Sequence, residues 1–365
     1  MLDAIVIGGG IMGSSAALRL AAGGMRVALF EAGLLGQGAS GVNAGTLSLQ
    51  IKRVALLPYA LEGLSIWQRA GRNVGFRQIG GLTLAFTSAE AEMLTERMTA
   101  RREAGAPIEI LPASRVSEME PRITRSITLA SYCALDSYAN ASLTGSYYRQ
   151  LLRDAGVAVY ERTAVDRIDP QSTAVVVHAD GHEYSASRAL LATGAWTRAI
   201  SEQMERPLPI SVRVNTVSVT ERSPKLLGRV LGHATGLLTM KQSANGTILI
   251  GGGWQGRGTP ENGRGEVVVQ TLIANLRLAQ HALPDLAALR LLRSWTGFEA
   301  HTPDYYPLAG LMPGTDNLYV LCCVRGGYTI GPYIGRLVGD LMLHREPERP
   351  LFDPARFFTE GAVRA

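Results

Sequence analysis

Gly8, Gly10 and Gly13 stand in a GxGxxG spacing directly after the apolar run "AIVI", and Glu31 closes the next apolar run, "MRVALFE". Each residue type has a chemical use at that spacing. Glycines let the backbone come close to a pyrophosphate, and the N-terminus of the helix they open offers free N–H groups at the positive end of a dipole. A carboxylate at the end of the second strand can hold a pair of ribose hydroxyls. This constellation is suited to a dinucleotide, but NAD and FAD both use it.

Three further stretches decide between them. "GQGASGVNAG" offers Ser40, Asn43 and several backbone amides to a phosphate and to the edge of a flavin. "LLATGAW" is a strand running into a glycine turn, where small residues let the chain pass close to a cofactor. "RGGYTIGP" opens a helix whose N-terminal dipole can stabilise negative charge building on a flavin pyrimidine edge. A nicotinamide enzyme needs little beyond its first strand–helix–strand unit, so the three stretches taken together favour FAD over NAD.

The elements that must position these residues follow from the pattern. "MGSSAALRLAAGG" reads as a helix ended by Gly23 and Gly24, "AVVVHADGHEYSASRALLATGAW" as a hairpin about Asp180-Gly181 leading into a buried strand, and 211–253 as alternating strands. "GEVVVQTLIANLRLAQHAL" reads as a helix, and the end as a strand, a glycine turn and a helix. Nucleotide-type elements thus recur at the start, middle and end, with strand-rich parts between them. The expected fold class is α/β with an α+β two-domain layout. A discontinuous Rossmann-like FAD/NAD(P)-binding domain carries an inserted substrate domain on a mixed, largely antiparallel sheet.

Composition sets the outer bounds. The 365 residues are 46% hydrophobic and 18% charged, which describes a globular enzyme with a large core. The net charge of +5 is spread over single and paired basic residues, with no Lys/Arg stripe interleaved with aromatics, so nucleic acid is not the expected partner. An anionic substrate or an acidic partner protein accounts for the excess equally well. Cys133, Cys322 and Cys323 make neither a disulfide framework nor a metal pair, and no metal is expected. The first apolar stretch is broken by glycines and lacks a basic flank, so neither a signal peptide nor a transmembrane segment is expected, and the setting is cytoplasmic.

"IVIGGGIMGSSAALRLAAGGMRVALFEAG", "ATGAW", "WTGFEAHTPDYYPLAG" and "NLYVLCCVRGGYTIGPYIGRLVGDLM" together resemble the FAD-dependent amine oxidoreductases of the D-amino-acid oxidase superfamily, from end to end. Within it the resemblance extends to glycine and sarcosine oxidases, D-hydroxyproline dehydrogenase and the catalytic B subunits of opine oxidases. It implies an FAD-binding domain over 1–82, 143–214 and 296–365 and a substrate-binding domain over 83–142 and 215–295. Carried over by position, Gly8, Gly10, Ile11, Met12, Gly13, Glu31 and Ala32 would hold the adenosine diphosphate. Gly38, Ala39, Ser40, Asn43, Ala44, Gly45, Thr46 and Leu47 would line the flavin. Val165 would meet the adenine, Ala192, Thr193, Gly194 and Trp196 the dinucleotide, and Gly326, Gly327, Tyr328, Thr329 and Ile330 the pyrimidine edge. The FAD would be non-covalent, since no cysteine lies between Phe298 and Asp304, where sarcosine oxidases attach theirs.

The resemblance implies that a carbon next to a primary or secondary amine gives hydride to flavin N5, and that water hydrolyses the resulting imine. Orientation matters more here than a strong base. The chain departs from the pattern at "GFEAHTPD": glycine oxidase-like sequences carry an arginine that clamps the substrate carboxylate, where this chain has Glu299. A carboxylate there attracts a cation, such as the guanidinium of octopine or nopaline; the plain alternative is that Glu299 pairs with a neighbouring basic residue. His301, Arg325 and Tyr328 join it as catalytic candidates. Lys52, Arg53, Lys241, Arg257 and Arg325 are the cations that could take a substrate carboxylate, Arg325 foremost. The expected function is the catalytic B subunit of an opine oxidase-like complex. It would pass electrons to a second flavin- or nucleotide-binding subunit, with a small iron–sulfur subunit and an FMN at a subunit interface as further possibilities of that arrangement. Oxidation of D-hydroxyproline, glycine or another D-amino acid is the alternative within the enzyme class, and an inert flavin-binding structural subunit the alternative outside it.

Overall fold

The computed structural model describes residues 2–322 and 326–358. The chain divides into two compact units, one of residues 1–41, 142–213 and 298–365 and one of residues 42–141 and 214–297.

The first unit is built on parallel strands. Leu2–Ile7 pairs parallel with both Val27–Glu31 and His182–Leu191; these in turn pair parallel with Ala158–Glu161 and Leu318–Cys322. Such central strands are covered on both faces, which is why they read as unbroken apolar runs instead of alternating ones. Ile5, Ile7, Ala28, Phe30, Ala189, Leu191, Val320 and Cys322 belong to one buried cluster. Val165–Pro170 and Val175–Ala179 extend the sheet antiparallel. The expected hairpin is present: Asp180 and Gly181 both have positive φ, 51° and 74°, as a two-residue turn between right-twisted strands requires.

The first helix, Ile11–Ala22, is held by the last long one, Gly327–Met342. Gly331, Gly335 and Gly339 recur one turn apart along the later helix. A Cβ on them would meet Ile11 Cγ2 at 2.7 Å, the Met12 carbonyl oxygen at 2.6 Å and Arg19 Cβ at 2.7 Å. Only glycine lets the two backbones approach this closely. Arg19 Nε then donates to Asp340 Oδ1 at 2.7 Å and locks the register. The glycine turn at the start of the first helix is therefore fixed by residues at the far end of the chain.

The second unit centres on an eight-stranded sheet in the order Leu291–His301, Ser211–Arg222, Thr247–Gly251, Thr239–Gln242, Val230–His233, Gly81–Ala85, Leu129–Cys133, Ile108–Pro112. Its ladders are antiparallel wherever the register is defined, save between Val230–His233 and Gly81–Ala85. The helix Val269–Ala282 covers one face, with Ala279, Ala282 and Leu283 packed into the cluster of Leu84, Met240, Ile248 and Ile250. Residues 42–82, assigned by resemblance to the cofactor domain, cluster instead with this unit. The reason is pairing: Thr46–Leu47 and Arg77–Gln78 both pair with Ser137–Tyr138, and Gly81–Ala85 lies inside the large sheet. No helix among the described residues is long and apolar enough to cross a membrane, and no group of His, Cys, Asp or Glu among them could hold a metal ion.

Candidate functional site

The glycine turn of the first unit separates two jobs among its glycines. Gly8 has φ +107°, and a Cβ there would strike the Ala192 carbonyl, while a Cβ on Gly13 would strike the Gly8 carbonyl. These two close the strand–helix junction, and Ala192 N donates to Ile7 O at 2.7 Å beside them. Gly10 differs. A Cβ there meets only Ser40 Oγ, at 3.2 Å, and otherwise faces open space. That space lies directly before the helix, whose Gly10 N-cap supplies no side-chain cap, so it is a cradle for an anion at the helix N-terminus.

Glu31 completes the cradle. Its two carboxylate oxygens accept from Gly9 N and Gly33 N, each at 2.8 Å, which fixes the carboxylate at the strand end with lone pairs left for a diol. The Ser40 hydroxyl accepts from Ile11 N at 3.0 Å, which ties it to the helix start while its O–H keeps the capacity to donate. Glu161 was missed by sequence reading. It sits opposite Glu31 in the parallel ladder, accepts from Leu35 N at 2.6 Å, and is held below the usual carboxyl range chiefly by the Arg149 guanidinium. The signal was available, because "VALFE" and "AVYE" end alike on neighbouring strands.

Other first-unit candidates are placed as follows. Val165 is half-buried at the start of its strand, and Thr193 Oγ1 bonds Thr197 Oγ1 at 3.0 Å. Gly194 has φ +55°, and Trp196, 39% exposed, meets Phe298 edge-on at 6.0 Å. Gly326 takes φ +83° as N-cap of the Gly327–Met342 helix, a conformation natural to glycine. Tyr328 is turned into the protein: its hydroxyl pairs with Thr144 Oγ1 at 2.9 Å, and burial pushes the phenol up. That environment suits helix packing rather than proton transfer to a substrate. Arg325 and Cys323 lie outside the described residues.

Glu299 and His301 share one face of the strand Leu291–His301, two residues apart, and His301 Nε2 lies 3.1 Å from Glu299 Oε2. His301 is buried, whereas the Glu299 side chain keeps 24% exposure. Nε2 faces the carboxylate, and the buried Nδ1 has no partner among the described residues. His301 thereby orients the Glu299 carboxylate.

In the second unit, the segment after residue 42 is pinned from several sides. Trp295 Nε1 donates to the Val42 carbonyl at 2.7 Å, Asn43 Oδ1 accepts from Gly45 N at 2.6 Å, and Ala139 N donates to Gly45 O at 2.9 Å. Thr46 Oγ1 bonds Thr239 Oγ1 at 3.0 Å, and Lys241 Nζ donates to the Ala44 carbonyl and to Thr46 Oγ1. Asn43 thus spends its carbonyl on its own turn. The remaining cations are scattered. Lys52 is buried and Arg53 exposed, while Arg257 Nε forms a surface pair with Glu266 at 2.7 Å.

Residues 3–341 match the family profile described as FAD dependent oxidoreductase, DAO. The chain belongs to that family. It is an FAD-dependent oxidoreductase, and the open space at Gly10 together with the Glu31 carboxylate fits the dinucleotide. Among similar proteins, a glycine oxidase of Geobacillus kaustophilus is 29% identical over 97% of this chain and 96% of its own. The B subunit of an opine oxidase from Rhizobium meliloti is 26% identical over 89% of each. The crystal structure of glycine oxidase from Geobacillus kaustophilus superposes with a TM-score of 0.86 at 26% identity, covering 98% of this chain and 97% of that one.

Proposed function

We propose that this oxidoreductase oxidises the carbon next to the amine of a guanidinium-bearing amino-acid derivative, as the catalytic B subunit of an opine oxidase-like complex. One observation supports the substrate class: His301 Nε2 lies 3.1 Å from Glu299 Oε2 and orients the carboxylate that, by the resemblance, replaces a carboxylate-binding arginine. When bound, FAD supplies the acceptor for the hydride. The chain's own residues do the rest: the Gly8–Gly13 turn and Glu31 seat the dinucleotide, and the pinned Val42–Thr46 segment lines the flavin. A carboxylate in that position can pair bidentately with a guanidinium and so orient the substrate. Similar proteins named as B subunits of opine oxidases support a partner chain, and in this reading a second, flavin- or nucleotide-binding subunit takes the electrons.

The relative at 29% identity, named glycine oxidase, favours a second reading, oxidation of glycine; D-hydroxyproline or another D-amino acid belongs to the same reading. Initial rates with octopine, nopaline, glycine and D-hydroxyproline, measured with an artificial electron acceptor, separate the two. The opine reading predicts kcat/KM for octopine or nopaline about a hundredfold above that for glycine, the worth of one buried charge pair. A preference for glycine would replace it with the second reading.

A further inference from the structure

Lys241 stands in mid-strand within Thr239–Gln242 and is 1% exposed. Its ammonium has no carboxylate partner among the described residues. Nζ donates to the Ala44 carbonyl and to Thr46 Oγ1, the latter at 3.1 Å, and lies 5.8 Å from the Tyr138 ring. A buried cation lacking an anion costs several kcal/mol, so such groups discharge rather than persist. Burial alone brings the Lys241 ammonium down to about 7. A neutral amine has two N–H groups and one lone pair, and two oxygens are what it finds here.

The surroundings leave little else to titrate. Among the described residues, Tyr138 is an ionisable group that faces the amine, and burial pushes its phenol up. Asp136, on the same stretch, is engaged by Ser48 Oγ at 2.6 Å, Leu49 N at 2.8 Å and Gln50 Nε2 at 2.9 Å. The neighbouring strands present Leu249 opposite Lys241 and Leu231 opposite Met240, and His233 is bonded to Thr235. Because Lys241 is enclosed by polypeptide alone, it reaches the cofactor only through the segment it holds.

We propose that Lys241 is a positioning residue that fixes the Ala44–Thr46 backbone and makes the bound flavin respond to a single proton taken up by its amine. The step is simple: the lone pair accepts a proton from solvent, a buried positive charge appears, and no other bond changes. Below the transition the ammonium pulls on the Ala44 carbonyl and raises the flavin potential; above it that pull is lost. The inference rests on the reading that Asn43–Leu47 lines the flavin.

The test follows the visible spectrum and midpoint potential of the FAD-loaded protein against pH. Wild type is expected to show a one-proton step at pH about 7. Lys241→Met and Lys241→Arg are both expected to abolish it, since neither titrates there. Thr46→Val keeps the lysine but removes one acceptor for its charged form, and is expected to move the step down by about one pH unit. This variant decides the matter should Lys241→Met not fold. Persistence of the step in Lys241→Met, its absence from FAD-loaded wild type, or an unmoved step in Thr46→Val overturns the inference while leaving the FAD site intact. Flavin spectra identical across wild type, Thr46→Val and Lys241→Met at every pH would remove Asn43–Leu47 from the flavin, and the underlying reading with it.

Discussion

Gly10→Val is expected to give a folded protein that purifies without FAD. A Cβ at Gly10 meets only the Ser40 hydroxyl, at 3.2 Å, so it strikes no backbone and asks only a small withdrawal of that side chain. The room it would occupy is the anion cradle at the start of the Ile11–Ala22 helix. There the pyrophosphate loses both backbone approach and the favourable dipole end, and stoichiometric FAD content should fall to a few per cent or less. Gly8→Val and Gly13→Val are different experiments. Their side chains would strike the Ala192 and Gly8 carbonyls and disturb the strand–helix junction itself. Circular dichroism of the wild-type kind together with a colourless solution is the expected signature of Gly10→Val. Full retention of FAD would mean that the cradle lies elsewhere.

Glu299→Gln is expected to lower kcat/KM for octopine and nopaline by about 2–4 kcal/mol of transition-state binding, the usual cost of removing one member of a desolvated charge pair. The substitution is nearly isosteric, and the amide oxygen can still accept from His301 Nε2, so strand geometry and FAD content should stay unchanged. Turnover of glycine, which brings no cation to that position beyond its own amine, should change far less. Equal kcat/KM for octopine and nopaline in variant and wild type would take Glu299 out of substrate recognition.

How far the sequence announces these features depends on the range of the interaction. The Gly8–Gly13 turn, Glu31, the flanking strands and the Asp180-Gly181 hairpin were all legible, because backbone conformation and strand burial write local patterns into the chain. The clamp between Ile11–Ala22 and Gly327–Met342 was not, since glycines at 331, 335 and 339 acquire meaning only against a helix more than three hundred residues earlier. Ser40 and Asn43 show the limit on polar residues. The pattern offers both to a ligand, and it could not show that each oxygen also accepts from nearby backbone, at Ile11 N and Gly45 N. Tyr328 similarly looked like a catalytic phenol and is a buried partner of Thr144. Residues 42–82 could not be allotted by pattern, because strand partners at Ser137–Tyr138 and Leu129–Cys133 decide where they pack. For Lys241 the sequence offers a cation, and only burial turns it into a proton switch.

The most direct test of the account is the absorbance of the purified protein in the flavin band, at about 450 nm, before and after octopine or nopaline is added without oxygen. The account predicts a yellow protein carrying one FAD per chain whose band bleaches on mixing. A colourless protein that takes up no FAD, or a yellow one that none of octopine, nopaline, glycine or D-hydroxyproline can bleach, would contradict it.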